Sequence, residues 1–237
     1  MSFKFIILGS GSSMGVPRID GFFGKCDPKN KKNHRTRCSA LISFNNFNIL
    51  IDTSPDIRSQ LLKNKVKSID AVLYSHPHAD QTHGINDLRP FFLLNKKKIP
   101  VFADSSTSKY LKNNFSYCFL NKSEYPPILE LNKITKVMNF NKRIKIKAIP
   151  VQHGSIKCLS FIINKKLAYA SDVNNIYKND INKFKNLKYL VVDCLRFKKH
   201  PSHFNLEDII KLTDEIKPKE TILTNLHSDL DYKHLLK

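Results

Sequence analysis

The run Tyr74-Ser75-His76-Pro77-His78-Ala79-Asp80-Gln81-Thr82-His83-Gly84 places ligand-type side chains at three alternate positions. Residues two apart in an extended segment project to the same side, so His76 and His78 can occupy two positions on one metal ion. Asp80 offers a carboxylate two residues further on. A lone histidine is usually a packed or solvated residue, but this alternation points to a metal. Divalent ions held this way polarise a phosphoryl or carbonyl oxygen and draw a nucleophile from water. No Ser–His or Cys–His dyad is then required.

One short motif cannot close a metal site, so other segments must contribute. His153 follows the apolar run Ile144–Ile149, Asp172 follows Leu167–Ala170, and His227 follows Thr221–Thr224. Taken singly, each is more readily a turn residue or a helix cap than a ligand. Together they repeat one placement just past a candidate strand, and that repetition singles them out. The leaving group of a hydrolysis also needs a proton. His200 and His203 lie just before a helix that begins near Asn205, whose N-terminus favours a bound anion; packing at that helix start is the competing role. Arg89 carries a fork of donors suited to a phosphate, or to an internal salt bridge with Asp87 or Asp56. Asp52 suits a bracing role behind a metal histidine. Cys26, His34 and Cys38 are candidates for a structural metal, but no fourth ligand is evident and loop or strand-edge packing competes.

The elements that must carry these residues are mostly short, β-branched runs bounded by polar residues: 3–8, 38–44, 47–51, 71–74, 99–103, 144–149, 159–163, 167–170, 189–192 and 221–224. Helical patterns cover 54–64, with Pro55 in its first turn, and 205–216, stopped by Pro218. Strands interleaved with helices at both ends imply an α/β sandwich. The chain has only seven glycines. Five lie between residues 9 and 24, and Gly84 and Gly154 each directly follow a histidine. Glycine used this sparingly marks sharp turns or close backbone approaches, as loops packed around a site need.

A length of 237 residues suits one domain, residues 1–237, or one compact domain in two halves. Five scattered cysteines without a C-x-x-C pair fit reduced thiols in a cytoplasmic enzyme. No apolar run approaches the roughly 20 residues of a membrane span, and the apolar opening at 1–8 reads as a strand. The formal charge of +20 suits an anionic substrate, nucleic acid included, although lysine spread along the whole chain is equally a solvated face.

The H-x-H-x-D run, His153, the Ser171-Asp172 pair and His227 resemble the metallo-β-lactamase superfamily in order and rough spacing, across nearly the whole chain. The segments Gly9-Ser10-Gly11-Ser12-Ser13, Gly15-Val16-Pro17-Arg18, Asp52-Thr53-Ser54-Pro55-Asp56, His83-Gly84-Ile85-Asn86-Asp87-Leu88-Arg89 and Leu226-His227-Ser228-Asp229-Leu230-Asp231-Tyr232 resemble its phosphodiesterase branch, which includes the phosphoribosyl cyclic phosphodiesterases of phosphonate breakdown. The resemblance implies a four-layered αββα sandwich with two divalent metal ions, Zn²⁺ or Mn²⁺. By position, His76, His78 and His153 would hold the first ion, Asp80 and His227 the second, and Asp172 would bridge them. His203 fits the general acid better than His200 does. The superfamily usually has histidine after the aspartate where this chain has Gln81, which can coordinate only weakly, through its amide oxygen. That departure weakens the second site and shifts it toward harder ions. The implied activity is metal-dependent hydrolysis of a small cyclic phosphate or nucleotide-like phosphodiester. The alternatives are a nuclease resembling the transfer-RNA 3′-processing enzymes, and a binding protein that has lost activity through Gln81. The expected partner is a small anionic phosphoester, with no membrane; a homodimer is compatible with the sequence.

Overall fold

The structure is a computed structural model that describes residues 3–121 and 125–236, and every structural statement concerns these residues. The chain divides into two compact units, Met1–Gly9 with Cys38–Ile134 and Ser10–Arg37 with Thr135–Lys237.

The first unit is built on a six-stranded sheet of β1 (Phe3–Gly9), β2 (Ser39–Phe44), β3 (Phe47–Ile51), β4 (Ala71–Leu73), β5 (Ile99–Ala103) and β6 (Leu129–Lys133), in that order. β1 to β3 run antiparallel and β3 to β6 parallel. Asn45 and Asn46, both at positive φ, make the tight β2–β3 turn, which needs residues that tolerate the left-handed region. Parallel neighbours need crossover connections. These carry α1 (Ile57–Lys63), α2 (Ala79–Thr82), α3 (Arg89–Asn95), α4 (Ser105–Asn114) and α5 (Ser116–Phe119). Ile57, Leu61, Leu88, Phe91 and Leu111 pack in one core with Leu41, Leu50, Val72 and Val101 of the sheet. Alternate strand residues Ile42, Ile49, Ile51 and Leu73 are also fully buried, so the sheet is covered on both faces.

The second unit repeats this plan. Its sheet runs β12 (Glu220–Thr224), β11 (Tyr189–Asp193), β10 (Leu167–Ala170), β9 (Ile156–Ile163), β8 (Ile144–His153) and β7 (Val137–Phe140). β7 to β10 form an antiparallel meander and β10 to β12 are parallel. Helices α6 (Lys178–Ile181), α7 (Leu206–Ile216) and α8 (Tyr232–Leu235) complete it. Ile209, Leu212 and Ile216 of α7 share a core with Leu190 and Val192 of β11. β8, two antiparallel steps from β10, runs in the same direction as β10, β11 and β12. The C-terminal ends of these four strands therefore meet at one edge, where open α/β sheets place their sites.

All ten strand runs read from the sequence form strands, 47–51, 99–103 and 167–170 with the ends as read and the others with shifted ends. β8 continues through Pro150 to His153, so His153 ends the strand. Pro150 is tolerated there because it falls between the β7 pairing, which ends at Lys147, and the separate Gln152–Asn175 bridge, so its missing N–H leaves no ladder bond unmade. The first helix starts later than the sequence implies, at Ile57, because Ser54 and Pro55 belong to the preceding turn. The second starts as read: the Asn205 side chain caps α7 by accepting from the Asp208 amide at 2.9 Å. Asn205→Ala should cost about 1 kcal/mol of stability, read as a lower urea midpoint at unchanged slope. No loss would mean that the cap carries no stability. Among the described residues no helix is long and apolar enough to cross a membrane.

Candidate metal centre

In the first unit, Asp52 and Ser75 lie just past neighbouring parallel strands β3 and β4. Asp52 is fully buried and sits at φ 60°, a conformation that only a constrained non-glycine residue holds. Its carboxylate accepts the Ser75 amide and the Ser75 hydroxyl, each at 2.8 Å. Since that hydroxyl spends its proton on Asp52, its oxygen accepts Nδ1–H of buried His76 at 3.0 Å. His76 is thereby fixed as the tautomer whose Nε2 carries a lone pair. That Nε2 lies 3.0 Å from Nδ1 of His78, the rings edge to face at 4.5 Å. Nitrogens bound at about 2.0–2.1 Å to a tetrahedral cation stand roughly 3.3 Å apart, so this pair fits a shared divalent ion.

The second unit has a matching arrangement. His153 at the end of β8 is buried, and its Nδ1–H donates to the Ser202 carbonyl at 2.7 Å, which again leaves the lone pair on Nε2. Gly154, at φ 60°, allows the close approach: a Cβ there would lie 2.9 Å from Ser202 Cβ. Asp172, past β10, accepts from Asn225 Nδ2 at 3.3 Å. His203 donates from Nδ1 to Asp193 at 2.6 Å, and its ring lies 4.7 Å from that of His153. One ligand atom from each of His153, Asp172 and His203 falls within a common 4.8 Å. Burial pushes the Asp193 carboxyl up to about 7, against the opposing pull of His203. His153, with its tautomer set from behind, and Asp172 offer the imidazole and carboxylate donors that suit a borderline divalent ion.

The remaining sequence candidates are placed less centrally. Asp80 lies in the first turn of α2 and accepts from Gln81 Nε2 at 3.2 Å. Gln81 is fully buried, so here its amide nitrogen faces the carboxylate. His227 stands outside the His153–Asp172–His203 group, with Nδ1 3.6 Å from the Asp229 carboxylate. His200 accepts from the Ser202 amide, its ring 5.0 Å from His203; burial and the neighbouring His203 lower its pKa. Arg89 lies over the Tyr125 ring, 5.0 Å from its centre. His83 hydrogen-bonds the Tyr110 hydroxyl and packs against Phe115, a packing role. Cys26 lies 4.0 Å from Arg35 Nη1 and His34 bonds the Pro28 carbonyl. Neither candidate ligand group among the described residues includes them or Cys38. Sequence reasoning missed Asp193, Asn225 and the Ser202 carbonyl. Asp193 ends a strand as Asp172 follows one, so the strand-end rule could have found it.

Residues 47–225 match the family model described as a beta-lactamase superfamily domain. An octanoyltransferase of Porphyromonas gingivalis (strain ATCC BAA-308 / W83) is 32% identical over 98% of this chain, which spans 48% of that protein's length. Among solved structures, a new diphosphatase from the PhnP family is 30% identical with a TM-score of 0.89, over 99% of this chain and 90% of that one. Zn²⁺-bound PqqB from Methylobacterium extorquens has a TM-score of 0.77 at 16% identity, over 96% and 90%. The short form of human tRNase Z has 0.70 at 13%, over 95% and 93%. These last two show a shared fold alone. The chain belongs to the β-lactamase superfamily, with the αββα sandwich fold, and resembles the PhnP family.

Proposed function

We propose that this chain is a cytoplasmic phosphodiesterase acting on a small cyclic phosphate or nucleotide-like ester. The observation that carries the reading is the setting of His76 and His153 by hydrogen bonds from behind, so that each presents Nε2 as a donor. In the proposed ligand set His76, His78 and His153 would hold one ion, Asp80 and His227 the other, and Asp172 would serve both. When bound, two such ions supply Lewis acidity and a nucleophile drawn from water. The protein's own part is to position and to move protons. Asp193 holds Nδ1–H of His203, so that the imidazolium form of His203 would hand its Nε2 proton to the departing alkoxide and return to the neutral Nδ1–H form. Arg89 is assigned to the substrate phosphate. His200, with its pKa lowered, is neutral at pH 7 and serves better as a hydrogen-bonding neighbour than as the acid.

The name octanoyltransferase belongs to a relative of which this chain covers about half. Acyl transfer through a thiol is poorly served here. All five cysteines are buried, and burial pushes Cys118 up to about 11 and Cys194 up to about 12, far from a reactive thiolate. The test is metal analysis of the purified protein, then turnover of bis(p-nitrophenyl) phosphate, structured RNA and an octanoyl thioester with added Mn²⁺ or Zn²⁺. Phosphodiester turnover supports the proposal. RNA cleavage or tight, steeply salt-dependent RNA binding favours the nuclease, thioester cleavage an acyl hydrolase, and bound metal without any turnover a binding protein.

His203→Ala separates proton donation from binding. Its kcat should fall about 10²- to 10⁴-fold on a diester with an alkyl alcohol leaving group and only slightly on the nitrophenyl ester, whose leaving group needs no proton. Equal losses on both would make His203 a substrate contact.

A further inference from the structure

Residues 10–37 form an arm whose contacts converge on the loop that carries His227. Leu226 N–H donates to the Ser10 carbonyl, and the Leu226 carbonyl accepts from Ser12 N–H. The Ser228 carbonyl accepts from Lys25 N–H at 2.8 Å, beside Gly24, where a Cβ would lie 2.6 Å from Ser228 Oγ. The carbonyls of His227 and Leu230 are both taken by one side chain, Arg35, at 3.5 and 2.7 Å.

Arg35 is 5% exposed, an unusual place for a guanidinium that touches no carboxylate in these bonds. Its Nη2 also donates to Asn33 Oδ1 at 3.1 Å, and Asn33 Nδ2 donates to Asp231 Oδ2 at 2.6 Å. Asn33, itself fully buried, thus links a buried cation to the carboxylate at the far end of the His227 loop. Its remaining bonds, from the Tyr232 amide and to the Asp27 carbonyl, fix which way the amide points. A lysine could not serve: it offers a point charge, whereas the observed acceptors lie along a planar fork.

We propose that Arg35 is a positioning residue for metal binding, holding the Leu226–Asp231 loop in the shape from which His227 presents its imidazole. This rests on His227 being a ligand of the second ion. The test titrates Zn²⁺ into metal-free protein against a chromophoric chelator, for wild type, Arg35→Lys, His227→Ala and the double variant, with thermal melting as the check on folding. Arg35→Lys should weaken the lower-affinity ion by at least about tenfold, the loss typical of removing a group that orients a ligand. The tighter ion should be unchanged, and the double variant should bind no worse than His227→Ala alone. Should Arg35→Lys fail to fold, Asn33→Ala interrupts the same chain of bonds and is read in the same way. Equal weakening of both ions, or wild-type binding in the Arg35 variant while His227→Ala loses an ion, overturns the positioning role. Two ions retained at wild-type affinity by His227→Ala overturn the ligand assignment and the positioning role with it.

Discussion

Alanine in place of His76 is expected to abolish retention of one metal ion and, with it, hydrolysis. The imidazole is buried and locked by the Asp52–Ser75 pair, so no neighbouring side chain can swing into its place. The loss should exceed the roughly 10–100-fold drop in metal affinity expected when only a supporting group behind a ligand is removed. Ser75→Ala provides that milder case: His76 stays but loses the acceptor that sets its tautomer. The ordering wild type, Ser75→Ala, His76→Ala in metal affinity, from competition with a chelator on folded protein, checks the whole chain from Asp52 outward. Full metal content in His76→Ala would remove His76 from the ligand set. Equal losses in the two variants would show that Ser75 does more than orient the ring.

The ligand-type residues could be read from the sequence because the fold obeys a simple rule. Parallel strands end at one edge, and a polar residue just past an apolar run lies at that edge. This is how Asp172 and His227 were found at β10 and β12, and His76 past β4. The groups that set their chemistry left no such mark. The Ser202 carbonyl that fixes His153 is backbone, present at every position of any sequence. Asp193 reaches His203 only because residues 195–204 fold back, with Phe204 N–H donating to the Val173 carbonyl. Arg35 is one of 40 lysines and arginines, and only burial distinguishes it. The strands missed, β6 and β7, are the outermost of their sheets. With a partner on one side only, they need less apolar sequence, and the period-2 signal weakens accordingly.

Gly84→Ala should be among the most destabilising single-methyl additions in the first unit. A Cβ at this position would lie 2.1 Å from the Ser54 carbonyl oxygen and 2.6 Å from Ile57 Cγ2. The obstacle is space and not backbone conformation, since Gly84 has an ordinary φ of −87°. Neither neighbour can yield cheaply. Gly84 N–H donates to the Thr53 carbonyl at 2.9 Å and Thr53 N–H to the Gln81 carbonyl at 2.8 Å, which ties the segment after β3 to the one after β4. Relief by more than about 1 Å would pull Thr53 and Ser54 away, and with them the adjoining Asp52 that holds Ser75 and His76. Overpacking of this kind costs about 1–3 kcal/mol and sometimes more. With backbone as the obstacle the upper end is expected, or roughly 6–12 °C of melting temperature for a chain of this size. Metal affinity should fall alongside, because the same shift loosens the brace behind His76. Gly21→Ala is the informative control. Its φ is 81°, yet nothing lies within 4 Å of a Cβ there, so it should lose only the about 1 kcal/mol of left-handed strain and keep its metal affinity. If the two variants melt together, close approach at Gly84 is not what the glycine provides.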